Sequence, residues 1–460
     1  MIKTKQSSLA LNIPDSSKPR IIMVGGGFGG INFLKKINTK LFQVVVFDRY
    51  NYHTFQPLLY QVATAGLEPD SIAGPLRKII NKKHNVYFRM LKVNRIDTEK
   101  HIVFTEAGEL TFDYLVIATG AKMNYFNKPD IAKHAFPIKQ ITHALDLRSH
   151  IFQQFEKMEI ITEKKRFDKY STFAVVGAGP TGVEICGALS ELKNHALPKD
   201  YPDLDIKNMK IYLIEGLDRV LPSMSKKSSK KAQKYLEKLG IEIILNCKTQ
   251  SYDGNTIKLS NNKEIDVGTL IWAAGVKGNL INGLSAKSIS NGKIWVNREC
   301  RVYKDPNDQS VYSNIFAIGD VAHMEHENYP KGLPGLAQVA IQQGKHLAKS
   351  LSRIMKKKKS EKFYYKNKGV LATVGRNKAV ADLPGNITLS GISGWIIWMM
   401  VHLLFLIGFR NKTVVFANWL WNYFTYDRGI RLILRPSSKK KDRMSREMES
   451  EMNETENINF

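Results

Sequence analysis

The sequence predicts an α/β fold built from two Rossmann-like dinucleotide-binding units, because one order of elements occurs twice. The first copy is an apolar run at 20–24, a glycine-rich turn, a helical pattern and a second apolar run at 44–47. The second copy begins with the apolar run at 172–176 and ends at 211–214. A strand, a glycine turn, a helix and a strand in this order begin a parallel sheet. Two copies in one chain are stronger support than either alone.

Composition and charge restrict the classes of function. The 460 residues are 43% hydrophobic and 24% charged, which is typical of a globular protein and excludes a disordered or collagen-like chain. The formal net charge of +27 predicts an anionic partner, either nucleic acid or an anionic lipid surface. Cys186, Cys247 and Cys300 are too far apart for a disulfide framework or a closely spaced redox pair. No metal site is predicted.

The first glycine-rich turn fits the pattern G-x-G-x-x-G through Gly25, Gly27 and Gly30. The first glycine of this pattern makes the turn, the second lets the backbone approach a pyrophosphate, and the third lets the helix pack on the strand. The N–H groups at the helix N-terminus then bind the phosphates. Asp48 follows the next strand, where an acid accepts hydrogen bonds from a ribose. This order favours a nucleotide site over a simple tight turn.

The second turn repeats the pattern through Gly177, Gly179 and Gly182. Its candidate ribose acid, Glu215, comes later than the usual spacing of about 20 residues, and a polar insert at 194–210 explains the delay. A carboxylate at this position repels the 2′-phosphate of NADPH, so NADH is the preferred nucleotide. Arg219 keeps NADPH open as an alternative.

The end of the chain differs in composition from the rest. The apolar run at 395–409 is shorter than the roughly 20 residues that span a bilayer. A second run at 414–426 is rich in aromatic residues, and basic residues follow both runs. This pattern predicts two amphipathic helices that lie on an anionic membrane, with a core helix or a spanning helix as alternatives. Lipid is preferred to nucleic acid, because the aromatic residues are not interleaved with basic ones.

Several further segments resemble a known family. Ala118-Thr119-Gly120, Ala273-Ala274-Gly275 and Ile318-Gly319-Asp320 resemble the corresponding segments of flavoproteins with two dinucleotide-binding domains. Within that superfamily, the segment YHTFQPLLY at 52–60 has no redox cysteines, unlike the disulfide reductases. The segment AQVAIQQG at 337–344 resembles the quinone-site helix of the type II NADH:quinone oxidoreductases, which are single-subunit, non-pumping enzymes. The resemblance covers about residues 20–435.

The resemblance implies two cofactor sites, with FAD at the first glycine turn and NADH at the second. The residues implied to bind FAD are Gly25, Gly27, Phe28, Gly30, Asp48, Arg49, Thr54, Val93, Thr119, Gly120, Asp320, Ala337 and Gln338. The residues implied to bind NADH are Gly177, Gly179, Thr181, Gly182, Glu184, Glu215, Ala274 and Gly275. Asp320 is implied to contact the ribityl chain and the pyrophosphate of FAD.

Three residues are implied to act in catalysis. Glu184 is implied to lie where the nicotinamide meets the flavin, although an acid in a first helical turn is also explained by the helix dipole. Gln338 and Gln342 are four residues apart and share one helix face, where an amide suits a quinone carbonyl. A polar surface face is the alternative for this pair. His53 is as well explained by a structural role as by contact with the cofactor.

The expected architecture is a discontinuous FAD-binding domain with an inserted NADH-binding domain, followed by a C-terminal amphipathic helical membrane anchor. The expected boundaries are a flexible N-terminal tail at 1–19, the FAD domain at 20–125 with 277–355, the NADH domain at 126–276, the anchoring region at 356–436 and a charged disordered tail at 437–460.

The resemblance also implies the reaction and its location. NADH would give a hydride to FAD, and the flavin would pass two electrons to a membrane quinone without proton pumping. We expect a homodimer, peripheral to the cytoplasmic face of the inner membrane. The alternatives are a sulfide:quinone oxidoreductase-like enzyme, a soluble or peripheral NAD(P)H-dependent flavin reductase with another acceptor, and a nucleotide-sensing membrane scaffold that does not turn over.

Overall fold

Two parallel sheets form the frame of the molecule, and each contains one of the two glycine-rich turns. The structure is a computed structural model that describes residues 9–81, 83–426 and 429–434. The tail expected at 437–460 lies outside the described residues. In chain order, the strands are β1 (Arg20–Val24), β2 (Gln43–Asp48), β3 (Tyr52–Thr54), β4 (Ala73–Pro75), β5 (Val86–Met90), β6 (Val93–Asp97), β7 (Ile102–Thr105), β8 (Gly108–Thr111), β9 (Tyr114–Ile117), β10 (Ala121–Met123), β11 (Phe136–Pro137), β12 (Thr172–Val176), β13 (Lys210–Ile214), β14 (Ile241–Ile244), β15 (Thr249–Tyr252), β16 (Thr256–Leu259), β17 (Glu264–Asp266), β18 (Thr269–Trp272), β19 (Val276–Gly278), β20 (Ile289–Ser290), β21 (Lys293–Val296), β22 (Arg301–Asp305), β23 (Ser310–Ala317), β24 (Ala322–Met324), β25 (Val370–Gly375), β26 (Lys378–Leu383) and β27 (Ile387–Gly391).

The α-helices cover the sheets and form the end of the described chain. In chain order they are α1 (Phe28–Lys36), α2 (Leu59–Ala63), α3 (Leu76–Ile80), α4 (Pro129–His134), α5 (Ile141–Met158), α6 (Lys164–Tyr170), α7 (Pro180–Glu191), α8 (Leu197–Asp200), α9 (Lys226–Lys238), α10 (Ala337–Ile354), α11 (Ile392–Phe405) and α12 (Phe409–Thr425). The predicted polar insert after α7 is helical in its first part, because a π-helical turn and α8 continue the helix to Asp200.

The first parallel sheet has the strand order β23-β9-β1-β2-β5. Its central strand β1 is buried at four of its five positions, which explains the continuous apolar run in the sequence. Strands β20, β21 and β22 extend the sheet on the β23 side. Helices α1 and α10 pack on each other beside it. The sheet therefore takes strands from two distant parts of the chain.

The second parallel sheet has the strand order β11-β18-β12-β13-β14. All five residues of β12 are buried. Each parallel sheet is accompanied by a three-stranded antiparallel sheet, β6-β7-β8 for the first and β15-β16-β17 for the second. The antiparallel pair β10-β19 joins the two halves, because it contains the strands where the chain leaves the first half and returns to it.

The beginning of the described chain contacts the first sheet. Residues 9–19 were expected to form part of a flexible tail, but Leu11 is buried in the core of the first half. The amide of Gln43 donates a hydrogen bond of 2.7 Å to the carbonyl of Pro14, and the guanidinium of Arg89 donates to the carbonyl of Leu11. These contacts give the segment a fixed course along the sheet.

The C-terminal region was expected to be a helical anchor, but its first part is a sheet. Strands β25, β26 and β27 form an antiparallel sheet before the two helices begin. This sheet packs on α7, where a Cβ added at Gly187 would lie 2.3 Å from the carbonyl oxygen of Val374. The glycine therefore permits the close approach of β25 to the second Rossmann-like unit.

Helix α11 is apolar on both its buried and its exposed sides. It buries Trp398 and His402, while an exposed stripe consists of Ile392, Ile396, Met400 and Leu404. Helix α12 exposes further large apolar side chains, namely Phe409, Phe416, Leu420, Trp421 and Phe424. Among the residues that the structure describes, no helix combines the length and the apolar character that crossing a membrane requires.

Candidate active site

The first glycine turn has the geometry of a nucleotide cradle. Gly25 has φ of +111°, and a Cβ there would lie 2.2 Å from the carbonyl oxygen of Ala118. A Cβ at Gly30 would lie 2.1 Å from the carbonyl oxygen of Gly25, so this glycine permits the helix to pack against the turn. A Cβ at Gly27 would meet no atom of the described residues within 4 Å. The open space beside Gly27 leaves room for a pyrophosphate to approach the backbone.

The second glycine turn repeats this geometry. Gly177 has φ of +101°, and a Cβ there would lie 2.8 Å from the backbone of Ala274. A Cβ at Gly182 would lie 1.8 Å from the carbonyl oxygen of Gly177, whereas one at Gly179 would meet nothing described within 4 Å. The two turns therefore match position by position, and each leaves a space at its middle glycine.

The two candidate ribose acids also occupy matching positions. Asp48 accepts N–H hydrogen bonds of 2.6 Å from Gly26 and 2.8 Å from Tyr50. Glu215 accepts the corresponding bonds, 2.6 Å from Ala178 and 3.0 Å from Leu217. Burial raises the pKa of Asp48, although the N–H hydrogen bonds and Arg49 lower it in part. Each carboxyl group is thus held beside its glycine turn.

The segments that follow β9 and β18 lie under the two turns. Ala118 supports Gly25 in the first half, as Ala274 supports Gly177 in the second. Thr119 donates from its hydroxyl to the carbonyl of Asn279 at 2.6 Å. Gly120 and Gly275 have φ of +70° and +76°, a left-handed conformation that favours glycine. The structure thus brings Thr119 to the first cradle and Ala274 to the second, and Gly120 and Gly275 follow them directly in the chain.

Glu184 lies in α7, close to the second turn, and is only 7% exposed. Its Oε1 accepts the backbone N–H of Thr373 at 3.4 Å and the indole N–H of Trp398 at 3.3 Å. Burial raises the pKa of this carboxyl to about 8, and the two hydrogen bonds lower it only in part. The side chain is therefore protonated at neutral pH. Sequence reasoning missed both partners, because Thr373 and Trp398 both lie in the region at 356–436 that it assigned to the membrane anchor.

Aromatic side chains join the two Rossmann-like units to α11. The rings of Trp398 and His402 stack at 4.1 Å, and the ring of His402 meets Phe55 edge-on at 6.0 Å. Burial lowers the pKa of His402 to about 4, so the ring is neutral, and its Nδ1–H donates to the carbonyl of Trp398 at 2.7 Å. Trp398 and His402 are four residues apart and therefore lie on one face of α11. This spacing was the sequence signal that could have identified the inward face.

His53 lies in β3 beside the first turn. Its Nδ1 is 3.1 Å from the carbonyl oxygen of Gly26, and its ring meets Phe28 edge-on at 4.9 Å. Burial lowers the pKa of His53 to about 4, so the ring is neutral. Its Nε2 is buried and has no hydrogen-bond partner among the described residues. A buried polar atom without a partner fits a site at which a polar ligand supplies the missing bond.

Gln338 and Gln342 share one face of α10, and both amides bind the segment at 366–369. Gln338 donates to the carbonyl of Gly369 at 2.9 Å and accepts the N–H of Lys368 at 3.1 Å. Gln342 donates to the carbonyl of Lys366 at 2.9 Å and accepts the N–H of the same residue at 3.0 Å. Each NH₂ group retains one N–H. The predicted contact of these amides with a quinone stays a prediction.

Asp320 has two neighbours that sequence reasoning missed. The ammonium group of Lys139 lies 3.6 Å from its carboxylate and also donates to the amide oxygen of Gln56 at 3.2 Å. The buried amide of Gln343 accepts the N–H of Gly319 at 2.7 Å and holds the turn before Asp320. The glutamine-rich sequence after Ala337 was the available signal for Gln343, but the sequence analysis assigned roles only to Gln338 and Gln342 in this segment.

Among the remaining predicted residues, Phe28 and Thr181 lie within the two glycine-rich turns, and the others lie outside them. Val93 is buried at the start of β6, and Thr54 ends β3. The guanidinium of Arg49 lies 5.8 Å from the centre of the Tyr50 ring. Thr181 is exposed in the first turn of α7, while Phe28 and Ala337 begin α1 and α10. Their predicted contacts with the cofactors stay predictions.

The residues present fit a dinucleotide at each turn. Two observations support this fit, namely the space beside Gly27 and Gly179 and the unpartnered Nε2 of His53. The cysteines offer no alternative redox centre, since Cys186, Cys247 and Cys300 are all buried and unpaired. Burial raises the pKa of the Cys186 thiol well above its ordinary range, which suppresses formation of the reactive thiolate.

Comparisons with known proteins agree with this geometry. The pyridine nucleotide-disulphide oxidoreductase family matches residues 19–344, and the NDH2 C-terminal domain matches residues 367–426. The type II NADH:quinone oxidoreductase Ndh of Mycobacterium tuberculosis is 34% identical, with 89% of each chain covered. The structure of NDH2 from Plasmodium falciparum in complex with NADH has a TM-score of 0.82 at 24% identity, covering 91% of this chain and 100% of that one.

A second structural neighbour shares the fold at a greater distance. It is the sulfide:quinone oxidoreductase of Aquifex aeolicus, with a TM-score of 0.67 and 18% identity, covering 91% of this chain and 96% of that one. The sequence relatives and the C-terminal domain match decide between the two enzymes. The chain belongs to the pyridine nucleotide-disulphide oxidoreductase family and, within it, to the type II NADH:quinone oxidoreductases.

Proposed function

We propose that each of the two cradles binds a different nucleotide. The chain is an oxidoreductase that transfers electrons from NADH to a quinone, with FAD as its cofactor. The observation that supports two nucleotide sites is the pair of matching glycine turns, each with a carboxylate and an open middle glycine. We assign FAD to the first turn and NADH to the second.

The first turn would hold FAD through its backbone and Asp48. The N–H groups at the start of α1 face a space that Gly27 keeps open, and Asp48 suits a ribose hydroxyl. Asp320 and its neighbour Lys139 would bind the polar linker of the cofactor. The chemistry that bound FAD supplies is the acceptance of a hydride from NADH and the return of two electrons to a quinone.

The second turn would hold NADH in the same way, with Glu215 on the ribose. A carboxylate at that position disfavours the 2′-phosphate of NADPH, which supports a preference for NADH. We assign to Glu184 the positioning of the nicotinamide. Because Oε1 accepts two N–H groups, the proton of the neutral carboxyl is held on Oε2, where it is available as a donor.

We place the quinone contact at the start of α10. Gln338 keeps one amide N–H after its bond to Gly369, and such a donor suits a carbonyl that gains negative charge on reduction. Gln342 has the same arrangement one turn later, and Ala337 precedes both residues on the helix. The backbone segment at 366–369 would fix both amides in the required orientation.

We further propose that α11 and α12 attach the enzyme to an anionic membrane as a peripheral protein. The exposed apolar stripe of α11 and the exposed aromatic residues of α12 support this, because such side chains prefer the bilayer interface. The net charge of +27 favours an anionic surface. We place the contact on the cytoplasmic face of the inner membrane, where NADH is produced, and propose a homodimer.

The boundaries of the three regions after residue 19 remain as expected from the sequence in this proposal. We propose an FAD domain at 20–125 with 277–355, an NADH domain at 126–276 and an anchoring region at 356–436. The two passages of the chain through β10 and β19 support a discontinuous first domain. The antiparallel sheet at the start of the third region supports its separate role as a cover for α7.

An absorbance experiment tests the proposed function. The purified chain is expected to show the yellow flavin band, to lose it rapidly when NADH is added, and to recover it when a quinone follows. A nucleotide-sensing scaffold would bind NADH without bleaching. A colourless protein that takes up no FAD on reconstitution would overturn the assignment of the first turn.

A further inference from the structure

A cavity of about 460 Å³ lies between the first Rossmann-like unit and the C-terminal helices. Its size falls within the range of about 300–1,000 Å³ that is usual for ligand clefts. One side consists of α1 and α10, and the other is the turn between α11 and α12 at 404–409. None of the residues assigned above to NADH lines this cavity.

Three lysines from three different helices line the cavity. They are Lys35 of α1, Lys345 of α10 and Lys412 of α12, and none of the described lining residues is acidic. The ammonium group of Lys412 donates to the carbonyl of Leu404 at 3.0 Å, which fixes its position. The pKa of Lys35 is lowered by burial and then by the positive charges of Lys345 and Lys412. The cluster therefore holds positive charge that an anion would neutralise.

The opposite wall of the cavity is apolar and exposed. Leu404 is 69% exposed and Phe409 is 86% exposed, although both are large hydrophobic residues. Phe405 lies between them in the lining, with the ammonium group of Lys368 at 6.0 Å from its ring centre. The cavity thus places a cluster of cations directly beside the side chains that are most suited to a hydrocarbon environment.

We propose that this cavity binds the phosphate of one anionic phospholipid, with the acyl chains lying along the apolar turn. The proposal rests on the membrane association proposed above and adds a specific headgroup site to it. Charge complementarity favours this occupant, since a phosphodiester matches the lysines and the acyl chains match Leu404 and Phe409. A neutral quinone would leave the lysine charges unbalanced, and free phosphate would leave the apolar wall exposed.

The test compares two double variants of the full-length protein. Lys35→Gln with Lys345→Gln removes two lysines that line the cavity. Lys36→Gln with Lys349→Gln removes the same charge from the same two helices, at positions that are exposed like Lys35 and Lys345 but do not line the cavity. Sedimentation with vesicles of phosphatidylcholine, with and without phosphatidylglycerol, measures binding. We expect the cavity variant to lose about tenfold more affinity for anionic vesicles than the control, equivalent to about 1.4 kcal/mol.

A second measurement separates a lipid from a free anion. Soluble short-chain phosphatidylglycerol is expected to raise the melting temperature of the wild type and of the control variant, but not that of the cavity variant. Short-chain phosphatidylcholine and inorganic phosphate are expected to have little effect on any of them. Equal stabilisation by inorganic phosphate would overturn the lipid assignment.

The outcomes distinguish this inference from the function on which it rests. Equal losses by the two double variants would show diffuse surface attraction and overturn the headgroup site. A cavity variant with unchanged lipid binding but slower reoxidation by quinone would assign the cavity to the quinone instead. A wild type that binds no vesicle of either composition would refute membrane association itself, while NADH-dependent bleaching in detergent would still report the enzyme activity.

Discussion

At the scale of single residues, three carboxyl groups in this enzyme have two kinds of surroundings. Asp48 and Glu215 each accept two backbone N–H groups at the edge of a nucleotide cradle. Glu184 instead lies in an apolar pocket, where two N–H donors do not outweigh the cost of burying a charge. The same functional group therefore serves as a fixed acceptor in two places and as a neutral acid in the third.

Replacement of Glu184 by glutamine is expected to increase stability, and the gain should grow with pH. Below pH 4.5 the carboxyl is protonated in both the folded and the unfolded chain. Between pH 4.5 and about 8 only the unfolded chain ionises, so the free energy of unfolding of the wild type falls by about 1.4 kcal/mol per pH unit relative to Glu184→Gln. Denaturant titrations of both proteins at pH 5 and pH 8 measure this difference.

Glu191→Gln is the control for this prediction. Glu191 ends the same helix and accepts the N–H of Arg376, so its replacement by glutamine makes the same chemical change outside the apolar pocket of Glu184. A Glu184→Gln protein whose relative stability is the same at pH 5 and pH 8 would show that the carboxyl is ionised in the folded enzyme.

Replacement of Glu215 by arginine is expected to shift the nucleotide preference towards NADPH. The change removes the carboxylate that accepts the N–H of Ala178 and places a cation where a 2′-phosphate would lie. We expect the ratio of kcat/KM for NADH to that for NADPH to fall by at least about tenfold, or about 1.4 kcal/mol. Asp218→Arg changes the net charge equally at an exposed position nearby and should leave the ratio unchanged. Unchanged selectivity in Glu215→Arg would remove Glu215 from the nucleotide site.

At the scale of elements, α10 and the segment at 366–369 act as a single unit. Gln338 and Gln342 each donate one hydrogen bond to this segment and accept one from it. Gly335, two residues before the helix, lies beside Asp320, and the segment leads into β25, whose Thr373 N–H donates to Glu184. The two glutamines therefore connect the proposed quinone contact to the strand that covers the proposed NADH site.

Gln338→Leu is expected to slow the reoxidation of reduced flavin by quinone by about tenfold, with little effect on reduction by NADH. Gln342→Leu is the matched comparison, because it breaks two equivalent hydrogen bonds with the same segment, worth roughly 1 kcal/mol each. Both variants should lose similar stability. Stopped-flow absorbance measures the two half-reactions separately. Equal slowing of both half-reactions in Gln338→Leu would leave that residue with a structural role only.

Helices α11 and α12 pack inward on the Rossmann-like units and also form the proposed membrane surface. Trp398 and His402 face inward, and Trp419 donates from its indole N–H to the amide oxygen of Gln61 at 2.7 Å. A truncation before α11 would therefore remove the donor to Glu184 together with the apolar surface. Substitutions confined to exposed side chains separate the two roles.

The combined substitutions Leu420→Ser, Trp421→Ser and Phe424→Ser are expected to release the enzyme from vesicles. The three side chains are 50%, 62% and 74% exposed, and each loses roughly 1.5–3 kcal/mol of hydrophobic transfer energy. Bleaching of the flavin by NADH should persist, because the inward face of α12 is unchanged. Ile160→Ser alters an apolar side chain that is 81% exposed outside this surface and should not affect sedimentation. Full retention of the triple variant on vesicles would place the membrane contact elsewhere.

At the scale of the whole molecule, the enzyme is built from one unit used twice. The two parallel cores have corresponding strand orders, and the glycine turns and acids match position by position. Inward residues of the C-terminal region then close the joint between the units, through Trp398 and β25. The duplication provides two candidate nucleotide sites. The C-terminal region distinguishes them, because Trp398 and β25 pack beside the second turn.

Gly27→Ala and Gly179→Ala are expected to separate the two sites. Each added Cβ meets no described atom within 4 Å, and both backbones have ordinary negative φ, so both variants should fold. The new methyl groups occupy space needed by a pyrophosphate. Gly27→Ala should bind FAD at least about tenfold more weakly, whereas Gly179→Ala should remain yellow but need at least about tenfold more NADH for bleaching. Each variant is the control for the other, and identical effects on both cofactors would refute the assignment of one nucleotide to each turn.

The sequence by itself determined the two cradles, because their geometry is local. The left-handed φ of Gly25 and Gly177, the close approach at Gly30 and Gly182 and the acid after the second strand all depend on residues within one βαβ unit. The predicted strands at 20–24 and 172–176 have the observed bounds for the same reason. The family resemblance implied which cofactor belongs to which turn. The turns themselves were identified from the glycine pattern, which reflects local backbone geometry.

Only the tertiary structure decided the state of the groups between the cradles. Trp398 reaches Glu184 across 214 residues of sequence, and the amides of Gln338 and Gln342 are engaged by a segment after α10. The antiparallel sheet before α11 was missed for a similar reason, since its short strands are defined by packing on α7. The pKa of a carboxyl depends on what buries it, and burial is a property of the assembled fold.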